Sequence, residues 1–512
     1  MAEKKNLSSN DPEAGTVEEF GYDPAYRRVF QGLATFSLVL ATASPMTGIF
    51  IQSPYQIVYG GYWGLVWGWI IPAVFMIPQA LAVAELCSSM PINGAFYWWT
   101  AALAPPSWSR PLSFISGWTN VFQLITSCAG LGYACATTLT SMGAALNPSW
   151  TPTNAETMAI SMAIMLLYSL LIGIRMEQLS WILISAAAAV LITTVLFIIA
   201  FPVSTATQHI GFAKASDVFG NYTNYSLWND NAATQFTFFA AAWVITGWAG
   251  PAFVAEETHN ASIIAPQSIL KTYAAQAIMG IIVCLICAFC IVDMDTLAHS
   301  AGYPIYDLIL SRWGTQLGAA FILLIIIVTI IGGSSAILTA ASQIAAFARD
   351  GGTPFATLFS RVNPRTNMPA PAILALLVGT LAILLFSLST NAASIIYSLT
   401  VIASLTTYIL PIVLRLFAGP RFVPGPWHYG RFSKPIHALA ALCQIYFIVI
   451  ESFPTTTPVP TAASFNYNWV LTVGVMGAAV GLWFLQGHAF ADLSGQIARH
   501  HQQARGSHEE KE

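Results

Sequence analysis

Two short stretches combine proline, glycine and hydroxyl residues inside otherwise apolar sequence. They are Ala43-Ser44-Pro45-Met46-Thr47-Gly48 and Thr246-Gly247-Trp248-Ala249-Gly250-Pro251. Proline removes a backbone donor and clashes with the preceding turn, and glycine weakens a helix further. A helix interrupted there frees backbone groups that hydrocarbon cannot satisfy, so they must face protein, water or a ligand. Half-helix N-termini offer N–H groups to a carboxylate. Ser44, Thr47 and Thr246 add hydroxyls. Trp243 and Trp248 flank the second stretch with rings suited to an amine. The competing reading is a pair of ordinary proline kinks with packing aromatics.

Few other residues could do chemistry. Glu85, Glu256 and Glu257 are acids at the edges of apolar runs. An acid at membrane depth is a candidate proton acceptor; solvation at a helix end is the alternative. Arg349 and Asp350 read as a loop ion pair or a lipid-headgroup contact. Cys284, Cys287 and Cys290 have a metal-like spacing but drift around an apolar helix with no His beside them, so they read as packing residues and no metal or cofactor is expected. Asn221-Tyr222-Thr223 and Asn224-Tyr225-Ser226 are glycosylation sequons, with chance as the alternative; Asn147-Pro148-Ser149 is blocked by its proline.

These residues are positioned by membrane helices. The chain has 512 residues, 56% hydrophobic and 8% charged. Nothing charged lies between Arg28 and Glu85 or between Glu177 and Lys214. A bilayer core takes about 20 apolar residues per helix. The runs predict spans at 32–53, 62–87, 112–145, 157–174, 179–202, 234–255, 272–292, 316–348, 369–389, 392–415, 436–454 and 468–487. With the N-terminus inside, 17 of the 19 Lys and Arg residues fall on the cytosolic side, and only Lys214 and Arg312 fall outside. The positive-inside rule then places both ends in the cytosol. The acidic N-terminal arm lacks the features of a signal peptide and reads as disordered; the tail from Asp492 reads as a loose cytosolic end. The two proline-glycine stretches lie five spans apart in opposite orientation, the mark of an inverted repeat with a midplane site.

Four segments carry a likeness to a known family. Ala84-Glu85-Leu86-Cys87-Ser88-Ser89-Met90-Pro91-Ile92-Asn93-Gly94-Ala95-Phe96-Tyr97-Trp98 closes the second span. Glu256-Glu257-Thr258-His259-Asn260-Ala261, with Ala265-Pro266, follows the sixth. Ala348-Arg349-Asp350-Gly351-Gly352-Thr353-Pro354 ends the eighth. Val362-Asn363-Pro364 and Pro369-Ala370-Pro371 follow it. Together they resemble the amino acid–polyamine–organocation superfamily, which has the leucine-transporter fold, and within it the fungal amino acid/choline permeases. The resemblance covers about residues 27–487. It implies a gate latch at Glu85, an aromatic closing over substrate near Trp243 and Trp248, and proton symport or exchange in place of sodium coupling. The fifth span lacks the Lys or Arg by which some carriers of the superfamily replace sodium. The sequence departs from the family at Ala249, where an acidic residue is frequent, and at Ala43-Ser44-Pro45, where Asn-Ser-Trp is frequent. Both departures put choline in doubt, because a quaternary amine would gain from a buried carboxylate; aromatic ring faces are the other way to hold a cation.

The expected protein is an all-α integral membrane protein of about 12 transmembrane helices, a leucine-transporter-like 5+5 inverted repeat plus two C-terminal helices. Its parts are a cytosolic arm (1–30), a first repeat (31–202), an extracytosolic loop (203–233), a second repeat (234–415), helices 11 and 12 (416–487) and a cytosolic tail (488–512). The expected function is secondary-active transport of an amino acid or related small amine, GABA-, choline- or polyamine-like, with protons and membrane lipids as further partners and no nucleic acid. Ser44, Pro45, Met46, Thr47, Gly48, Thr246, Gly247, Trp248, Ala249, Gly250 and Trp243 are expected at the substrate, joined by Gln123, Ser335 and Tyr397. The plasma membrane is the expected location, with the vacuolar membrane as alternative. Two other classes remain: a non-transporting nutrient receptor with a carrier fold, and an integral-membrane enzyme. The latter lacks a His-Glu-x-x-His motif, a phosphate-binding Gly-rich Lys loop and a soluble catalytic domain.

Overall fold

Long apolar runs become long helices because only a helix bonds its own backbone in lipid. A computed structural model describes residue 22 and residues 27–173, 176–300, 302–389, 392–454, 461 and 465–509. Most of the N-terminal arm lies outside the described residues. Among the described residues, nine helical segments are long and apolar enough to cross a membrane. The first of them, Gly32–Ser89, holds two spans. Pro106–Leu146 and the interrupted segment from Asp230 to Phe253 supply two more. Read this way, the described residues make twelve crossings and are almost entirely helical, with two isolated bridges as their only β-structure.

The span boundaries differ from the sequence reading where a helix continues past the apolar zone. The seventh helix is Ala261–Cys290 and starts well before residue 272. Its opening turns carry Gln267, Ser268 and an exposed Lys271, so hydropathy registers only the later part. The eighth helix, Pro304–Arg349, opens on a proline at its first position and bends at Gly314, where φ is 73°. The fifth, Met176–Thr207, runs past residue 202. The stretch predicted as one outer loop, 203–233, contains the short helix Ala215–Gly220 and the start of Asp230–Phe236. The fourth helix, Asn154–Leu171, begins with a capping box between Thr153 and Glu156.

The tail is not loose. Ser494–Glu509 is helical. Arg110 donates to the carbonyls of Gly487 and Phe490, and the Ala491 N–H donates to the Asp350 carbonyl. Phe490 and Leu493 are buried. Two apolar anchors among polar residues are too few to give a periodic signal.

Small residues let helices touch backbone to backbone, as is usual in membranes. A methyl group at Gly332 of the eighth helix would lie 2.0 Å from the Ala41 carbonyl oxygen of the first. One at Gly280 of the seventh would overlap the Trp69 indole of the second, 1.9 Å away. These approaches hold the first helix against the eighth and the second against the seventh.

Candidate functional site

The two interruptions differ in depth. In the first span, helix Gly32–Ala43 ends at Ser44 and the next helix begins at once with Pro45. Ser44 has φ 23° and ψ 72°, an uncommon conformation for a residue with a side chain. The Ser44 N–H still reaches the Leu40 carbonyl at 3.3 Å, and the Gly48 N–H reaches Ser44 at 3.2 Å. The chain turns sharply over one residue but does not unwind.

The sixth span does unwind. Helix Phe239–Val244 ends, and the chain becomes helical again only at Gly250–Phe253. Gly247 has φ 73°, where an L side chain is strained. Freed carbonyls find protein donors: Thr246 Oγ1 donates to the Trp243 carbonyl, Trp248 Nε1 to the Ile245 carbonyl and Gln276 Nε2 to the Thr246 carbonyl. The backbone N–H groups of Thr246, Gly247, Trp248 and Ala249 have no hydrogen-bond partner among the described residues. With carbonyls capped and N–H groups open, this segment has the chemistry to accept an anionic oxygen.

A partly open cavity adjoins this segment. Its wall is built from Leu38, Val39 and Thr42 of the first span, Gln123, Ser127 and Cys128 of the third, and Trp243, Thr246, Gly247 and Gly250 of the sixth. Thr339 of the eighth and Thr400 and Tyr408 of the tenth also line it. Gln123, Trp243, Thr246, Gly247 and Gly250 thus come together around one space.

The other expected substrate residues stand outside that lining. Ser44 and Thr47 pair with each other through their hydroxyls at 2.8 Å. Pro45, Met46 and Gly48 are buried, and Gly48 packs on Val244. Ser335 donates to the Leu38 carbonyl at 2.8 Å and touches the Thr42 hydroxyl. Tyr397 meets Trp243 edge to face at 5.0 Å. Trp248 is fully buried, edge-on to Tyr273 and tilted against Tyr408. Ala249 is buried beside it. Thr42, one turn before the first break, escaped the sequence reading because a lone threonine in an apolar helix carries no signal.

Beyond the break, Glu256 and Glu257 form a short turn, Ala255–Glu257, after the membrane segment. They are 3% and 0% exposed, so solvation at a helix end does not describe them. The Arg349 guanidinium forks onto Glu256 with bonds of 2.8 and 2.9 Å. Arg349 therefore pairs mainly with Glu256; its approach to Asp350 is 4.0 Å. Asn93 joins both acids: its N–H and its side-chain oxygen engage Glu256, and its amide nitrogen donates to Glu257 at 2.9 Å. Ser342 also donates to Glu257, at 2.9 Å. Burial pushes the Glu257 carboxyl up to about 8, the neighbouring Glu256 adding to the effect. Tyr22 and Tyr97 donate to Asp350, and Tyr22 lies under the Arg349 guanidinium at 4.0 Å. Asn93 stands in the motif that closes the second span, and nothing in its spacing points to this role.

Glu85 is fully buried and is not an interfacial charge in water. It accepts from His428, from the Tyr429 N–H at 3.2 Å and from the Ser433 hydroxyl at 2.7 Å, with His437 Nδ1 at 3.5 Å. The second span is thereby fastened to the loop and helix of the eleventh. Asn221 is exposed. Asn224 uses its amide nitrogen on the Trp228 carbonyl and on Asp230. Cys284, Cys287 and Cys290 are buried packing residues.

A family model described as amino acid permease matches residues 30–475. An uncharacterized amino-acid permease of Schizosaccharomyces pombe is 30% identical over 487 residues, covering 94% of this chain and 86% of that protein. The GABA-specific permease of Saccharomyces cerevisiae is 29% identical over 491 residues, covering 92% and 82%. Among solved structures, a manganese transporter of Eremococcus coleocola, in complex with an aromatic bis-isothiourea substituted compound, aligns with a TM-score of 0.52 at 11% identity. That alignment covers 92% of this chain and 95% of the other. At that identity the likeness concerns the fold alone.

Proposed function

The chain belongs to the amino acid permease family, and from that premise we propose that its central cavity carries an amino acid by exposing it alternately to the two sides of the membrane. The protein is a multi-pass integral membrane protein and a secondary transporter of amino acids. The observation that carries the site is the unwound segment of the sixth span, where the open N–H groups of Thr246 and Gly247 adjoin a cavity. A substrate carboxylate would take those donors and repay the cost of unpaired backbone. The first and sixth spans would rock against the third, eighth and tenth, which supply the remaining wall.

The fork between Arg349 and Glu256 would act as a gate on the side read as cytosolic, because it ties the sixth span to the eighth. Glu257 is our assignment for the proton-carrying group, since burial brings its carboxyl near neutral pH while Asn93 and Ser342 bond it. Protons, or exchange of substrate, would then drive the cycle. We read the protein as a carrier, not as an enzyme or a receptor.

The test is uptake of radiolabelled amino acids by proteoliposomes, with and without an inward proton gradient or substrate preloaded inside. Uptake that responds to either supports the reading. Strict dependence on external sodium with neither response refutes the coupling. Binding without flux refutes transport.

A further inference from the structure

The cavity wall is notable for its charge. Among the described residues that line it there is no Asp, Glu, Lys, Arg or His. The nearby acids Glu256 and Glu257 do not line it and are engaged by Arg349, Asn93 and Ser342. A group bearing full charge that leaves water must find a counter-charge or several hydrogen bonds. The cavity's open backbone donors are the N–H groups of Thr246 and Gly247.

Two side-chain atoms on the wall have no partner. Gln123 is 5% exposed; its amide nitrogen donates to the Ser127 hydroxyl at 3.0 Å, and its carboxamide oxygen is unbonded. Trp243 is 7% exposed and its indole N–H is unbonded. Buried polar atoms are rarely left unpaired without a reason, and each lone atom costs its lost hydration. One is an acceptor and the other a donor. Neither carries charge.

Resting on the reading of this cavity as the substrate site, we infer that it takes an electrically neutral zwitterion and rejects molecules with a net positive charge, with Gln123 and Trp243 as the specificity-determining pair. The carboxylate sits on the open N–H groups of the sixth span. The ammonium donates to the Gln123 carboxamide oxygen, and the Trp243 indole N–H donates to a substrate oxygen. The apolar remainder, including Leu38, Val39 and Cys128, suits an uncharged body. A polyamine, a quaternary amine or an amino acid with a cationic side chain brings an extra charge for which this wall has no carboxylate counter-charge.

The experiment uses full-length protein in proteoliposomes and, separately, ligand-induced shifts in thermal unfolding. The probes are leucine, glutamine, GABA, lysine, choline and spermidine. Neutral zwitterions should bind and be carried, while lysine, choline and spermidine are discriminated against by at least about tenfold. Gln123→Leu and Trp243→Phe should each raise KM for the preferred zwitterion by on the order of tenfold. Gln123→Glu should shift the ratio of lysine to leucine uptake towards lysine by a similar factor. Uptake of lysine, choline or spermidine on a par with the neutral compounds overturns the inference and leaves the transporter reading intact. Binding of a neutral zwitterion without flux supports the inference and overturns that reading. If none of the probes binds or is carried, both fall.

Discussion

Gly48 of the first span packs on Val244 of the sixth so closely that a methyl group at Gly48 would lie 2.8 Å from Val244 Cγ2. The contact has a counterpart. Gly250 of the sixth span faces Val39 of the first, where a methyl would lie 3.0 Å from Val39 Cγ2. In each case a glycine just after one break receives a valine from just before the other. The two interrupted helices therefore cross reciprocally, as an inverted repeat requires, and the cavity opens beside the crossing. The crossing also explains why most of the first break is buried: its glycine is used for packing.

Glycines around the site should separate by role. Gly247→Leu should abolish transport while membrane delivery persists, because Gly247 lines the cavity and has open space around it. Gly247→Ala should cost about 1–2 kcal/mol of backbone strain and keep partial transport. Gly332→Ala should instead fail in folding, since its methyl would meet the Ala41 carbonyl. Size-exclusion profiles beside transport rates distinguish the cases. Normal transport by Gly247→Leu would place the site elsewhere.

The two tryptophans should also part. Trp248→Ala removes a fully buried ring whose N–H is already bonded to Ile245. Its effect should appear as a stability loss of about 3–5 kcal/mol. Trp243→Phe keeps the ring against Tyr397 but deletes the unbonded N–H, so substrate affinity should fall with little change in melting. Thermal unfolding and binding titrations on both variants check this, and the opposite pattern would reverse the assignment.

Stability should depend on pH through Glu257. Its carboxyl is pushed up from 4.5 to about 8 in the folded chain, mainly by burial. The folded state then holds a proton that the unfolded state has released. The contribution is full below about 4.5 and is lost as pH rises through about 8. Melting of purified carrier between about pH 5 and 9 should therefore decline with pH more steeply in the native protein than in Glu257→Gln. Parallel curves would contradict this.

The Arg349–Glu256 fork should show coupling. Removing one partner of a buried pair costs about 3–5 kcal/mol; Arg349 keeps a fifth of its side chain exposed, so about 2–3 kcal/mol is expected here. Glu256→Gln and Arg349→Met should each destabilise, and the double variant should lose less than their sum. Strict additivity in a double-mutant cycle would mean that the fork contributes nothing specific.

Glycosylation should report topology. The segment from residue 203 to 233 is expected outside the cytosol, and exposed Asn221 is the better acceptor, since a glycan on Asn224 would break two hydrogen bonds. After expression in a eukaryotic membrane, Asn221→Gln should remove a glycosidase-sensitive mobility shift. Protease access to tags on the two ends from outside intact vesicles would contradict the ends-in topology.

By itself the sequence determined that the chain fills a membrane with about twelve helices and that two of these are interrupted five spans apart. Both are local properties: a charge-free run is costly in water, and proline and glycine weaken a helix wherever they stand. Tertiary structure alone decided which side chains meet. Thr42 and Gln123 reach the cavity while Ser44 and Thr47 satisfy each other. Glu85 finds His428 and Ser433, and Glu256 finds Arg349 instead of water. The segment before the tail helix docks on the end of the eighth span, where the Ala491 N–H meets the Asp350 carbonyl. These partners lie far apart in the chain. Their meeting is set by how glycines and alanines let helices cross, which hydropathy does not encode. A buried polar atom shows its lack of a partner only once every neighbour is in place, and so Gln123 and Trp243 gained their meaning from the fold.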